Sequence, residues 1–419
     1  MRLSQTSNDR LEGIADAFIN KENGIPGLVC CFVDKTGQAL FEYAGGRRAT
    51  GSSVPMTTDT IFWYASCTKM VTAIAAMQLV EQGLINLDDG EQLEACLWEL
   101  QDRKVLERDQ QGGLELVPKQ SKVTLRMLLS HTAGFGYSFA NPKLKEWSEP
   151  TGISEVSSEE FDIFAQPLVN QPGTAWEYGI NMDWVGRLIE RISGTGLHDY
   201  MQRNIFQPLG ISSISFFPTT EQMALLAYLH ERRADGTIQA RDGGHLLKTP
   251  LRVHEAKRNT VIQAGGHGLF GTPRDYCQIV AVLLNGGVHA PSGMRILEAK
   301  TVANMLENQI SEHPDFARDV GPACKPSLVN SAAETYPQPH EQPQGWGMSF
   351  FRLLHPSHTG RSGNTVWWSG LANLIWWADV ENGVGGMVAS QILPFNDPDV
   401  FACHEELEIA LYEGIVGQS

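Results

Sequence analysis

Two β-rich runs stand near the start of the chain and three near its end, so any sheet that unites them must pair segments from opposite ends. The first two, GLVCCFVD and ALFEYAGG, flank the turn Lys35-Thr36-Gly37 and read as a hairpin. The last three are NTVWWSG, NLIWWADV and GGMVASQIL, the final two joined across Glu381-Asn382-Gly383. Helical patterns flank the set, at about residues 8 to 22 and about 398 to 416. The expectation is an α+β fold: an antiparallel sheet from both chain ends, covered by the terminal helices, beside a mostly helical lobe. A single domain over 1–419 follows, with an α/β lobe at about 1–95 and 256–419, a helical lobe at about 96–255, and a site between them. The polar stretch LQDRKVLERDQQGGLELVPKQSK and the Pro-rich segment from Pro314 to Pro343 read as loops or lids.

Composition excludes several functions. The 32 Lys and Arg against 48 Asp and Glu give a net charge of −16, and no basic cluster is dense enough to track phosphates, so nucleic acid is not an expected partner. No apolar run approaches a membrane span, and the opening MRLSQTSNDRLEGIADAFIN lacks the apolar core of a signal peptide. A cytoplasmic protein without membrane partners is expected. The seven cysteines are scattered and lack metal-ligand spacing, and His355 and His358 are the one close histidine pair, in a Pro/Gly-rich stretch. Neither a metal nor another cofactor is expected.

The most chemically suggestive stretch is ASCTKMVTAIAAMQLVEQGLINLDD, from Ala65 to Asp89. As a bare pattern Ser-x-x-Lys arises by chance in a chain of this length, so its setting decides its meaning. From Met70 the apolar positions cover most of a helix surface until Gly83, which predicts a buried helix with Ser66 at its start. There the free backbone N–H groups favour a developing alkoxide, and Lys69 follows one turn on. The plainer alternative is a helix-capping Ser66 and a Lys69 that reaches out to water. Cys67 is expected to pack in the core. A second stretch, PGTAWEYGINMDWVGRLIERISG, places Tyr178 just ahead of a helix that ends near Gly194. Beside an ammonium, such a tyrosine can exchange a proton with a serine hydroxyl.

Ser66, Lys69 and Tyr178, with WWSGLAN far downstream, stand in the order of the serine β-lactamase and penicillin-binding-protein superfamily. The chain resembles one branch in particular, the lovastatin-pathway acyltransferases and the β-lactamase-like (family VIII) esterases. IPGLVCCFVD, VTLRMLLSHTAGFGY, NIFQPLGIS and GGHGLFGTPRDY match it along most of the chain and in the same order. The resemblance implies a serine β-lactamase-like fold with Ser66 as nucleophile, Lys69 as a helper that keeps its charge, and Tyr178 as the proton acceptor. Its third motif falls on Trp368-Ser369-Gly370, with Ser66 and Leu371 supplying the oxyanion N–H groups and Gly370 allowing close approach. Ile180 stands where many β-lactamases have Asn, and the lysine of their Lys-Thr-Gly motif is absent, which argues against lactam recognition.

The implied activity is transfer of an acyl group from a thioester or ester, through acyl-Ser66, to the hydroxyl of a small polyketide-like acceptor. The alternative is a carboxylesterase; a β-lactamase, a peptidase or a non-catalytic scaffold fits less well. The implied partners are the small-molecule alcohol and the acyl donor, free or on an acyl carrier protein. Phe135, Tyr137, Trp367, Trp368 and Trp376 either line an apolar pocket or form core. His267 is a further cleft residue, and His131 is read as a structural hydrogen-bonding residue.

Overall fold

The computed structural model describes residues 1–318, 321–331 and 339–416. Strands β1 (Gly27–Asp34), β2 (Ala39–Gly46), β3 (Gly345–Trp346), β4 (Phe351–Arg352), β5 (Thr365–Gly370), β6 (Leu374–Asp379) and β7 (Val384–Ala389) form one sheet in the order β3-β4-β5-β6-β7-β1-β2. Every neighbouring pair is antiparallel. The five long strands are those expected, and β7 joins β1 in register from Val29↔Ala389 to Asp34↔Val384. Strands from the two ends of the sequence therefore meet within the sheet, with only β2 beyond β1.

Strands β1, β5, β6 and β7 lack an apolar/polar alternation because both faces are covered. Helices α1 (Gln5–Asn20) and α5 (Pro398–Val416) pack together over one face, and α4 (Pro273–Leu284) lies on the other. Helix α2 is Thr68–Glu81 and α3 is Asn181–Ser193. Adjacent tryptophans of β6 show the two faces: Trp376 meets the ring of Tyr276 on α4 at 6.1 Å, and Trp377 meets His404 on α5 at 5.6 Å. Helix α2 runs through the interior, with its residues from Thr68 to Leu79 all buried, and packs against α3. Among the described residues no helix is long and apolar enough to cross a membrane.

The reading of LQDRKVLERDQQGGLELVPKQSK as a loop is corrected. Lys104–Arg108 and Leu114–Pro118 pair as an antiparallel hairpin, closed at Asp109, whose Oδ1 accepts from Gln111 and Gly113 amides at 2.8 Å each. The Leu106 N–H donates to the Leu168 carbonyl at 2.7 Å, which ties the hairpin to the body. Its polar exterior hid it: only Val105 and Leu106 are buried. Between Pro314 and Pro343 the described residues run as turns without a helix; positions 319–320 and 332–338 of that stretch lie outside the described residues.

Candidate active site

A short 3-10 turn, Ala65–Cys67, leads into α2. Ala65 sits at φ +46°, a left-handed conformation that costs a non-glycine residue roughly 1–3 kcal/mol and turns the next side chain outward. Ser66 does not cap the helix; its side chain borders a cavity. Behind it Lys69 is fully buried rather than extended to water, and its Nζ donates to Ser66 Oγ at 3.1 Å, to Tyr137 Oη at 3.2 Å and to the Gly266 carbonyl at 2.8 Å. It also lies 4.9 Å from the centre of the Tyr178 ring. Burial pushes Lys69 down to about 7, with the Asp183 carboxylate pulling the other way. Burial thus works against the permanent ammonium expected of this group, while the nearby Asp183 carboxylate favours it.

Tyr178 precedes α3 and is aimed by two neighbours. The Trp368 indole donates to its hydroxyl oxygen at 2.9 Å, a bond that favours an oxygen acting as acceptor or carrying negative charge. His131, at φ +57° and fully buried, faces the same loop: its Nδ1 accepts the Gly179 amide at 3.3 Å and lies 2.8 Å from Asn181 Nδ2. Burial, aided by Lys69, keeps this imidazole neutral, in line with its reading as a structural residue. Cys67 is buried as well, and burial pushes its thiol far up, so a competing thiolate is disfavoured.

The end of β5 closes on the serine turn. A Cβ at Gly370 would stand 2.4 Å from the Tyr64 carbonyl oxygen, a distance only glycine avoids. Gly370→Ala is expected to displace the strand and lower acylation on the order of 10²-fold, the loss that follows removal of an oxyanion donor. Burst kinetics alongside a thermal melt check this, because a change in melting without a change in burst rate assigns Gly370 to packing alone.

The cavity holds about 400 Å³ and is walled by Ser66, Tyr137, Tyr178, His267, Trp368 and Leu371. That volume suits a drug-sized ligand. Lys69 lies beneath its floor. Three of the aromatic residues expected there, Phe135, Trp367 and Trp376, do not line it. Phe135 stacks on Trp184 at 5.8 Å in the core. Trp367 points to the opposite sheet face, against Phe351 at 5.4 Å and with Arg361 5.3 Å from its ring, because neighbouring residues of a strand alternate sides and Trp368 takes the cavity side. Trp376 is core, beside Tyr276 and Phe350. Sequence reading missed Trp176 and Glu177, which also line the wall. Their adjacency to Tyr178 was the available signal. Burial raises Glu177, partly offset by hydrogen bonds from Asn141 and Asn170.

A sheet closed from both chain ends, with a Ser-x-x-Lys turn opening a buried helix beside it, defines the class of serine β-lactamase-like proteins. The chain belongs to the beta-lactamase family, whose model, described as Beta-lactamase, matches residues 14–411. It is similar to lovastatin esterase of Penicillium rubens, 32% identical over 90% of this chain and 92% of that protein. It is similar as well to monacolin J acid methylbutanoyltransferase of Aspergillus terreus, 30% identical over 94% of this chain and 92% of that protein. Among solved structures, a mutant simvastatin synthase from Aspergillus terreus superimposes with a TM-score of 0.81 at 27% identity, covering 100% of this chain and 99% of that one. EstCE1, a hydrolase with promiscuous acyltransferase activity, shares the fold at a TM-score of 0.72 and 22% identity, over 97% and 99% of the two chains. This chain is accordingly an enzyme of a family in which acyltransferases and esterases occur together.

Proposed function

We propose that the protein transfers an acyl group from a thioester or ester donor, through acyl-Ser66, to the hydroxyl of a small polyketide-like acceptor. The observation that carries the first half-reaction is the buried Lys69 amine 3.1 Å from Ser66 Oγ, on the wall of an aromatic cavity. In this reading Ser66 attacks the donor carbonyl, and its proton passes to the Lys69–Tyr178 pair. The backbone N–H groups of Ser66 and Leu371 hold the tetrahedral oxyanion, and the proton returns to the leaving thiolate or alkoxide. An incoming alcohol reverses the steps. Residues 1–419 act as one catalytic domain, with lobes at about 1–95 and 256–419 and at about 96–255; the sheet that joins both chain ends supports this. The donor arrives free or on an acyl carrier protein.

Two features support transfer: an aromatic wall suited to an apolar acceptor, and similarity over 94% of the chain to a methylbutanoyltransferase that acts on monacolin J acid. Hydrolysis is the second reading, favoured by the similarity to lovastatin esterase over 90% of the chain. The test is to form the acyl-enzyme with a butyryl thioester, remove the donor, and follow decay in buffer with and without monacolin J acid and other polyketide alcohols. Accelerated decay with ester product is expected. Free acid as the main product under every condition would replace transfer by hydrolysis and leave the first half-reaction intact.

A further inference from the structure

The loop from Ala264 to Gly268 crosses behind the Ser66 turn. Three consecutive carbonyls on it are taken by side chains of the serine-bearing segment: Gly265 by the Thr72 hydroxyl at 2.7 Å, Gly266 by Lys69 at 2.8 Å and His267 by the Trp63 indole at 2.6 Å. On its other side the loop is tied to α3. Asp183, buried in the first turn of that helix, accepts the Gly266 amide through Oδ1 at 2.9 Å. One residue, Gly266, is thus gripped by Asp183 at its nitrogen and by Lys69 at its oxygen. The fit leaves no room for a side chain, since a Cβ at Gly266 would lie 2.6 Å from Asp183 Oδ2.

The geometry around the carboxylate is unusual for a purely structural group. Its Oδ2 is buried without a hydrogen-bond partner, and the His267 Nδ1 stands 3.6 Å from Oδ1, too far for a hydrogen bond. A buried carboxylate with an unpaired oxygen costs free energy unless a positive charge lies nearby. The other groups that face Lys69 do not supply or need one. Ser66 is a hydroxyl, Tyr137 and Cys67 are held in their neutral forms by burial, His131 and His267 are held neutral by burial as well, and Tyr178 presents its ring. Among the described residues that bear on Lys69, Asp183 is the carboxylate, and its attraction opposes the loss of the lysine proton.

We propose that Asp183 is a positioning residue of this site: by way of Gly266 it fixes the place of Lys69, and by its charge it sets how much of Lys69 is ammonium when Ser66 reacts. The inference rests on the Ser66–Lys69 half-reaction proposed above and is indifferent to whether the acyl group then goes to an alcohol or to water.

The experiment is the pH profile of acylation by p-nitrophenyl butyrate in wild type and Asp183→Asn. Asparagine keeps an oxygen for the Gly266 amide and removes the charge, so the effects of place and charge separate. With the charge gone, Lys69 loses its proton at lower pH, and the limb of the profile that it governs is expected to move down by about one pH unit or more. An acidic limb that moves marks neutral Lys69 as the working form; an alkaline limb that moves marks the ammonium. Either supports the proposal. Asp183→Ser replaces the variant if Asp183→Asn does not fold, because it also removes the charge and retains an acceptor. A rate lowered equally at every pH, or a limb that stays or rises, overturns the assignment and leaves Asp183 as packing. If wild-type Ser66 takes no acyl group, the proposed half-reaction and this inference fall together, whereas an acylated variant with unmoved limbs removes this inference alone.

Discussion

Ser66→Ala is expected to abolish covalent acylation and lower ester turnover on the order of 10⁴-fold or more, while the fold persists. The side chain borders the cavity and caps nothing, so its hydroxyl can be removed without opening the core or leaving a helix amide orphaned. Intact mass after exposure to a p-nitrophenyl ester or a thioester, followed by peptide mapping, reads the result. The wild-type adduct belongs on the peptide that holds Ser66. An adduct on the neighbouring Cys67, or near-normal turnover by the alanine variant, would refute the nucleophile assignment; the deep burial of Cys67 and its raised thiol make that outcome the discriminating one.

The second large effect concerns proton transfer. Lys69→Ala and Tyr178→Phe are each expected to slow acylation about 10²-fold or more, the range in which a positioned acid or base contributes. Their losses should not add. Lys69 Nζ lies 4.9 Å from the centre of the Tyr178 ring, close enough for the two to handle one proton as a unit, so that removing either disables the pair. A double variant that loses the full sum of the two single losses in free energy would show independent roles. The lysine variant carries its own control: it empties a buried site, so a lowered melting temperature is expected alongside the kinetic loss, whereas Tyr178→Phe removes one oxygen from the cavity wall and should melt nearly as wild type.

Much of this fold is legible in the sequence because long strands covered on both faces are uninterrupted apolar runs, as in LIWWAD of β6 and GLVCCFV of β1. The two-residue strands β3 and β4 carry no pattern at all, and the Lys104–Pro118 hairpin alternates charges outside a very small buried set. At the site, the order of short motifs brings Ser66, Lys69 and Tyr178 to notice, and the structure gathers them around one cavity. Aromatic content alone misleads: Trp367 and Trp368 look alike in sequence, and the two-residue period of β5 is what separates the face toward the cavity from the face toward Arg361. The burial of Lys69 is legible too, since a helix apolar all round leaves a lysine no water. The lysine's tie to Asp183 is not, because that link passes through Gly266, a residue brought near only when α3, the loop and α2 pack together.

The pairing of β7 with β1 has a consequence for how the molecule comes into being. Val29 must find Ala389 before the two sets of strands join, so all the residues between them are synthesised while the first hairpin still waits with one edge open. Such distant pairings are slow to form and leave sticky edges in the meantime. The same arrangement makes β7 the keystone of an arch, joining β1 on one side and β6 on the other. Losing β7 would separate β1 and β2 from the strand that closes on Ser66, and a chain cut short there would forfeit its chemistry and its architecture in one step.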